Sequence, residues 1–148
     1  MFGKNTIFVA RLGIETSMTL KVEIEEMRRA RAFALSTASE AGLNERHAQD
    51  LHLIVEEAVV NVVNYSGATT MELNAWQENG CLYVSVTDDG IPFDPTQYPS
   101  PDLTVPGEQR QIGGLGIHYI RKMSDGMTYR REDGRNILTI LIKLNIEH

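Results

Sequence analysis

Two short turns constrain this chain more than any other feature. Glu78-Asn79-Gly80 separates two β-rich runs, TTMELNAWQ (69–77) and CLYVSVTD (81–88). Asn-Gly is a strong hairpin signal, because a tight two-residue turn needs positive φ at both positions. Asp133-Gly134 separates MTYRRE (127–132) from NILTILIKL (136–144) in the same way. Each pair of runs is therefore expected to be antiparallel. NTIFVARL (5–12) and MTLKV (18–22) read as further strands.

The segments between these hairpins read as helices and one long loop. EIEEMRRARAFALSTASEA (23–41) carries apolar groups at Ile24, Met27, Ala30, Ala34 and Ala38, at helical spacing, with Gly42 as a stop. Asn44 can cap a second helix that runs to about Tyr65, where Ser66-Gly67 ends it. All five prolines fall between Pro92 and Pro106, so residues 91–112 are expected to be a loop. A short helix from about Gly116 to Ser124 follows. No repeat or domain boundary interrupts this order, and residues 1–148 read as one domain. Hairpins beside helices predict an α+β fold, a two-layer sandwich with helices on one face of a mainly antiparallel sheet.

Composition excludes several functions. The net charge is −6 with no basic block, which disfavours direct nucleic-acid binding. No apolar run approaches the ~20 residues that a membrane span needs. The single cysteine, Cys81, permits no internal disulfide and fits a reducing cytoplasm. It reads as a small packed residue. His47, His52, His118 and His148 have no metal-ligand spacing, and Trp76 reads as packing on a strand.

Chemistry concentrates in three places. The first is LHLIVEEAVVNVVNYSG (51–67), apolar nearly all round yet carrying Glu56, Glu57, Asn61 and Asn64. Glu57 and Asn61 lie four apart on one helical face, with Asn64 a turn on near the same stripe. Glu56 is about a quarter turn away and is expected to face water. Either the stripe is solvated or it lines a cavity, since a buried polar stripe without partners costs stability. In a cavity, the amide oxygen can ligate Mg²⁺ and the carboxylate can orient or deprotonate a nucleophile.

The second place is VTDDGIPFDP (86–95), which ends a strand in Asp88-Asp89-Gly90. It reads as a turn or as a carboxylate that accepts from an amino group, such as the exocyclic amine of a base. The third is QIGGLGIHYI (111–120), where Gly113, Gly114 and Gly116 precede a helix. Glycines let backbone N–H groups approach an anion, and a helix N-terminus favours negative charge. Phosphate contact and a hinge both fit. No Gly-Lys-Ser/Thr follows, so this is not a P-loop, and Tyr119 stands where a dinucleotide fingerprint needs its third glycine. Arg110, inside the loop, is the candidate phosphate cation, whereas Arg121 and Lys122 read as a solvated face.

Taken in order, E57-A-V-V-N61, D88-D-G90 and G113-G-L-G116 resemble the ATP-binding fold shared by gyrase, Hsp90, histidine kinases and MutL. From about Thr19 to Leu144 the chain more closely resembles the bacterial anti-sigma factor serine/threonine kinases. VTDDGIPFDP, GGLGIHYIRKMSD and DGRNILTILIKL carry that likeness. The resemblance implies a Bergerat-type ATP-binding fold with ATP and Mg²⁺ as cofactors. It implies Asn61 as the Mg²⁺ ligand, Glu57 as general base, and Asp88 with Gly90 at the adenine. Gly114 and Gly116 would border a lid running from Pro95 to Ile112. Departures from the family pattern are Tyr65 in place of a common histidine, Ser66-Gly67 after it, and Pro92.

Three functions follow from this resemblance. One is a kinase that phosphorylates a Ser or Thr of a small anti-anti-sigma (STAS-type) partner and sequesters a sigma factor, as a homodimer. Another is a non-catalytic module whose nucleotide sets partner affinity. The last is the catalytic half of a histidine kinase, which the short chain before the helix disfavours.

Overall fold

The computed structural model describes residues 15–97 and 114–144. Strand β1 (Thr16–Lys21) leads through a 3₁₀ turn (Ile24–Glu26) into helix α1 (Met27–Ala41), and helix α2 (Glu45–Asn61) follows. A π-helical turn (Val62–Ser66) extends α2. Strands β2 (Thr70–Glu78) and β3 (Cys81–Asp88) come next, then a 3₁₀ turn (Pro95–Gln97), helix α3 (Gly114–Met123), and strands β4 (Gly126–Glu132) and β5 (Arg135–Lys143).

The caps explain these limits. Asn44 accepts a hydrogen bond from the His47 amide at 2.8 Å, satisfying one of the free donors at the start of α2. Gly42 (φ 74°) ends α1 in the left-handed conformation, where a Cβ would be strained. Asn79 and Gly80 both have positive φ, as do Asp133 and Gly134. Each pair therefore forms a two-residue turn whose twist matches that of its strands. The first turn is shorter than expected, because Glu78 still pairs with Cys81.

The sheet has the order β1-β2-β3-β5-β4, and every neighbouring pair is antiparallel. Side chains alternate across it. Met71, Leu73 and Ala75 on β2, Leu82, Val84 and Val86 on β3, and Ile140 and Ile142 on β5 enter one buried cluster. Phe33 and Ala34 of α1, Leu51, Ile54, Val55 and Val59 of α2, and Ile120 of α3 fill its other side. Full burial of such a side chain contributes about 1.5–3 kcal/mol. The expected α+β layering is therefore the observed one.

The expected strand at 5–12 lies outside the described residues, as do residues 98–113, which include Arg110 and Gly113. Of the proline-rich loop, residues 91–97 are described. Helix α3 begins at Gly114, two residues before its expected start, so Gly114 and Gly116 sit inside its first turn instead of preceding it. No described helix is long and apolar enough to cross a membrane.

Candidate functional site

Between the helices and the β3–β5–β4 end of the sheet lies a cavity of about 510 Å³. Its walls are mainly apolar, with Val62, Val86, Ile117 and Leu138 among them, and its polar groups are few: Asn61, Ser66, Asp88, Tyr129 and Asn136. A concave, mostly apolar pocket with a few placed polar groups is the usual form of a small-molecule site. Exposed Tyr65, Ile91 and Phe93 also line it.

Glu57 and Asn61 come together as the helical spacing predicts. A Cβ built on Gly116 would lie 2.8 Å from Glu57 Oε1 and 3.6 Å from Asn61 Nδ2. The carboxylate and the amide therefore both face the first turn of α3; Asn61 lines the cavity, whereas Glu57 and Gly116 are not among its lining residues. Amides of a first helical turn lack intrahelical acceptors and favour anions. The absent Cβ at Gly116 lets the Glu57 carboxylate approach the first turn of α3 closely.

Glu57 is half-buried. Desolvation, and secondarily the adjacent Glu56 carboxylate, hold its acid above the ordinary 4.5. Glu56 does not simply face water, as its quarter-turn offset suggested. It accepts from Arg31 Nε of α1 at 2.6 Å. Asn64 is exposed and does not line the cavity. The wider π turn changes the angular step after Asn61, so the stripe drawn for a regular α-helix does not continue to Asn64.

Asp88 sits at the other end. It is 7% exposed, and an ionised carboxylate so placed costs several kcal/mol unless hydrogen bonds offset the lost water. The Gly90 amide donates to Asp88 Oδ1 at 2.8 Å, and Asn136 Nδ2 donates to the same oxygen at 3.1 Å. Gly90 has no room for a side chain. A Cβ there would collide with the carbonyl oxygen of Ser66 and lie 2.9 Å from Asp88 Oδ1. That close approach joins the end of α2 to the turn, where the Ile91 amide donates to Ser66 O at 3.0 Å. Arg131 Nη1 also holds the turn, donating to Gly90 O at 2.8 Å.

Asp89 has a structural role. Thr69 Oγ1 donates to Oδ2 at 2.6 Å, and the amides of Thr69 and Thr70 donate to Oδ1 at 2.7 and 2.9 Å. The Thr69 hydroxyl is the largest of the influences that lower its pKa to about 2.

Two residues escaped the motif reading. Asn136 lies directly opposite Asp88 across the β3–β5 ladder and is buried. It bonds Asp88, Ile91 O, the Phe93 amide and the Tyr129 hydroxyl. The signal was available: the alternation of Leu138, Ile140 and Ile142 on β5 puts Asn136 on the inner face, where an amide needs partners. Tyr129 on β4 reaches Asn136 diagonally. Arg121 is not on a solvated face either, since its Nη2 donates to Pro95 O at 3.1 Å, whereas Lys122 is exposed. Trp76 stacks on Tyr83 with centroids 5.4 Å apart.

Among the described residues, no group of three or more His, Cys, Asp and Glu side chains could hold a metal. The described residues therefore build no such metal cluster. A single amide such as that of Asn61 does fit a magnesium ion delivered on phosphates, since Mg²⁺ takes few protein ligands and fills its shell with water and phosphate oxygens.

The profile of the histidine kinase-like ATPase domain matches residues 20–142, and the chain belongs to that family. Within it, the chain is similar to bacterial serine/threonine kinases. The chain is 31% identical over 94 residues to the serine/threonine-protein kinase BtrW of Bordetella bronchiseptica, covering 61% of this chain and 66% of that protein. It is 26% identical over 140 residues to the serine-protein kinase RsbW of Listeria monocytogenes, covering 88% of each. The fold is shared with part of a Mycobacterium tuberculosis chain that comprises RsbU and RsbW domains (TM-score 0.63, 18% identity, 88% of this chain and 32% of that one). The Acinetobacter baumannii histidine kinase AdeS shares it less closely (TM-score 0.52, 14% identity, 88% of this chain and 68% of that one).

Proposed function

We propose that the cavity binds ATP and that the protein transfers its γ-phosphoryl group to a serine or threonine of an anti-anti-sigma partner. One observation carries this reading: Glu57 and Asn61 converge on the first turn of α3, and the adjoining apolar cavity, which Asn61 lines, holds the buried Asp88 carboxylate. The adenine would lie among the apolar walls with its amine at Asp88. The phosphates would meet the amides at Gly114 and Gly116, and Gly113 and Arg110 would belong to the same phosphate end.

Asn61 would offer its amide oxygen to magnesium, which neutralises phosphate charge when bound. Glu57 would take the proton of the acceptor hydroxyl. That oxygen bonds to the γ-phosphorus, the bond from phosphorus to the β–γ bridging oxygen breaks, and ADP leaves with the electron pair. Positioning supplies most of the rate in such transfers. Sigma-factor capture, pairing of two copies and action in the cytoplasm belong to the same reading and rest on the family resemblance.

The test uses labelled ATP with magnesium and an anti-anti-sigma protein. Wild type should transfer label. Glu57→Gln should bind ATP within a few-fold of wild type yet transfer about 100-fold less, in the range for loss of a general base. Tight ATP binding with no transfer by wild type would favour the non-catalytic module instead.

A further inference from the structure

Asn136 has no hydrogen-bonding capacity left. Its Nδ2 donates to Asp88 Oδ1 at 3.1 Å and to Ile91 O at 2.8 Å. Its Oδ1 accepts from the Phe93 amide at 3.2 Å and from the Tyr129 hydroxyl at 2.6 Å. The opposite amide orientation would set its oxygen against a carboxylate and a carbonyl, so these partners determine which atom is nitrogen.

Two consequences follow for the cavity. Asp88 Oδ1 already accepts twice, from Gly90 and from Asn136. Oδ2 has no partner among the described residues and is left for a ligand. The Tyr129 hydroxyl must spend its one proton on Asn136 Oδ1, which cannot donate. What Tyr129 can offer a ligand is a lone pair. Both groups line the cavity and both are held by the same buried amide. The site thus presents two acceptors and no competing donor from this trio.

We propose that Tyr129 is a specificity-determining residue. Its hydroxyl, made a pure acceptor by Asn136, takes the second hydrogen of the exocyclic amine whose first hydrogen goes to Asp88. The pocket then selects 6-amino over 6-oxo purines, because an oxo group would place a third acceptor against two. This rests on the reading that the cavity takes a purine nucleotide, and it adds a residue and a selection rule to that reading.

The experiment is a set of titrations of ATP, N6-methyl-ATP and inosine triphosphate into wild type and Tyr129→Phe. Wild type should bind inosine triphosphate roughly 100-fold or more weakly than ATP, as expected when buried polar groups face the wrong partner. The variant should lose about three- to tenfold in ATP affinity, the scale of one hydrogen bond. It should change less than about twofold for N6-methyl-ATP, which has only one amine hydrogen to give, and its preference for ATP over inosine triphosphate should narrow.

An unchanged ATP preference in a folded variant overturns the role of Tyr129 and leaves the nucleotide reading intact. Failure of wild type to bind any of the three overturns the nucleotide reading itself. Should the variant melt below the assay temperature, wild type alone decides. Wild type holding N6-methyl-ATP three- to tenfold more weakly than ATP supports the second acceptor, and equal wild-type affinity for the two overturns it.

Discussion

Glu57 is held back from ionising by its surroundings. Burial raises its pKa first, and the neighbouring Glu56 charge raises it further. Arg31 offsets part of that charge through its 2.6 Å ion pair with Glu56. As the proposed base, Glu57 works only when deprotonated, so transfer should fail as pH falls through a value above 4.5, the ordinary glutamate range. In Glu56→Gln the coulombic part disappears while the desolvation part stays. The acid limb of kcat/KM for transfer should therefore move to lower pH without reaching the ordinary value. A limb that stays in place would show that Glu56 does not tune the base.

Against the α2 segment, two glycines answer to different constraints. At Gly90 an added Cβ meets backbone, the Ser66 carbonyl, which cannot yield without moving the end of α2. At Gly116 it meets the far end of the Glu57 side chain, 2.8 Å away, which can swing aside. Alanine also favours a helix over glycine by about 1 kcal/mol. Gly116→Ala should thus keep its melting temperature or raise it, consistent with up to about 1 kcal/mol. Its transfer rate should fall about 100-fold, because misplacing the proposed base by about an ångström has that scale of effect. A variant as active as wild type would mean that the space beside Glu57 is not used.

Across the whole molecule, Asp89 ties the start of β2 to the turn that ends β3. Its folded pKa of about 2 lies below the ordinary 3.8, chiefly through the Thr69 hydroxyl. The folded state therefore binds fewer protons than the unfolded state as pH falls through this range. The stabilisation is fully present above about 3.8 and is lost as pH falls to about 2. Melting curves should show Asp89→Asn less stable than wild type near neutral pH, with the gap closing as pH drops from about 4 to 2. A gap that stays constant with pH would assign the loss to something other than this carboxylate.

The amino-acid sequence by itself determined the elements and their pairing, because those depend on local chemistry. Asn79-Gly80 and Asp133-Gly134 tolerate the positive φ of tight turns, and an apolar residue at every second strand position leaves one face to bury. The four-residue interval also suffices to put Glu57 and Asn61 on one side of α2. Tertiary structure decided what lies opposite them, since no sequence interval encodes the approach of Gly116 to Glu57 or of Gly90 to Ser66. It also decided that Asn64 turns out to solvent, through a π turn, and that α3 starts two residues early. Asn136 belongs to both accounts: alternation puts its amide on the inner face, but its partners come from β3, β4 and the loop after β3, and only packing brings four such groups to one side chain.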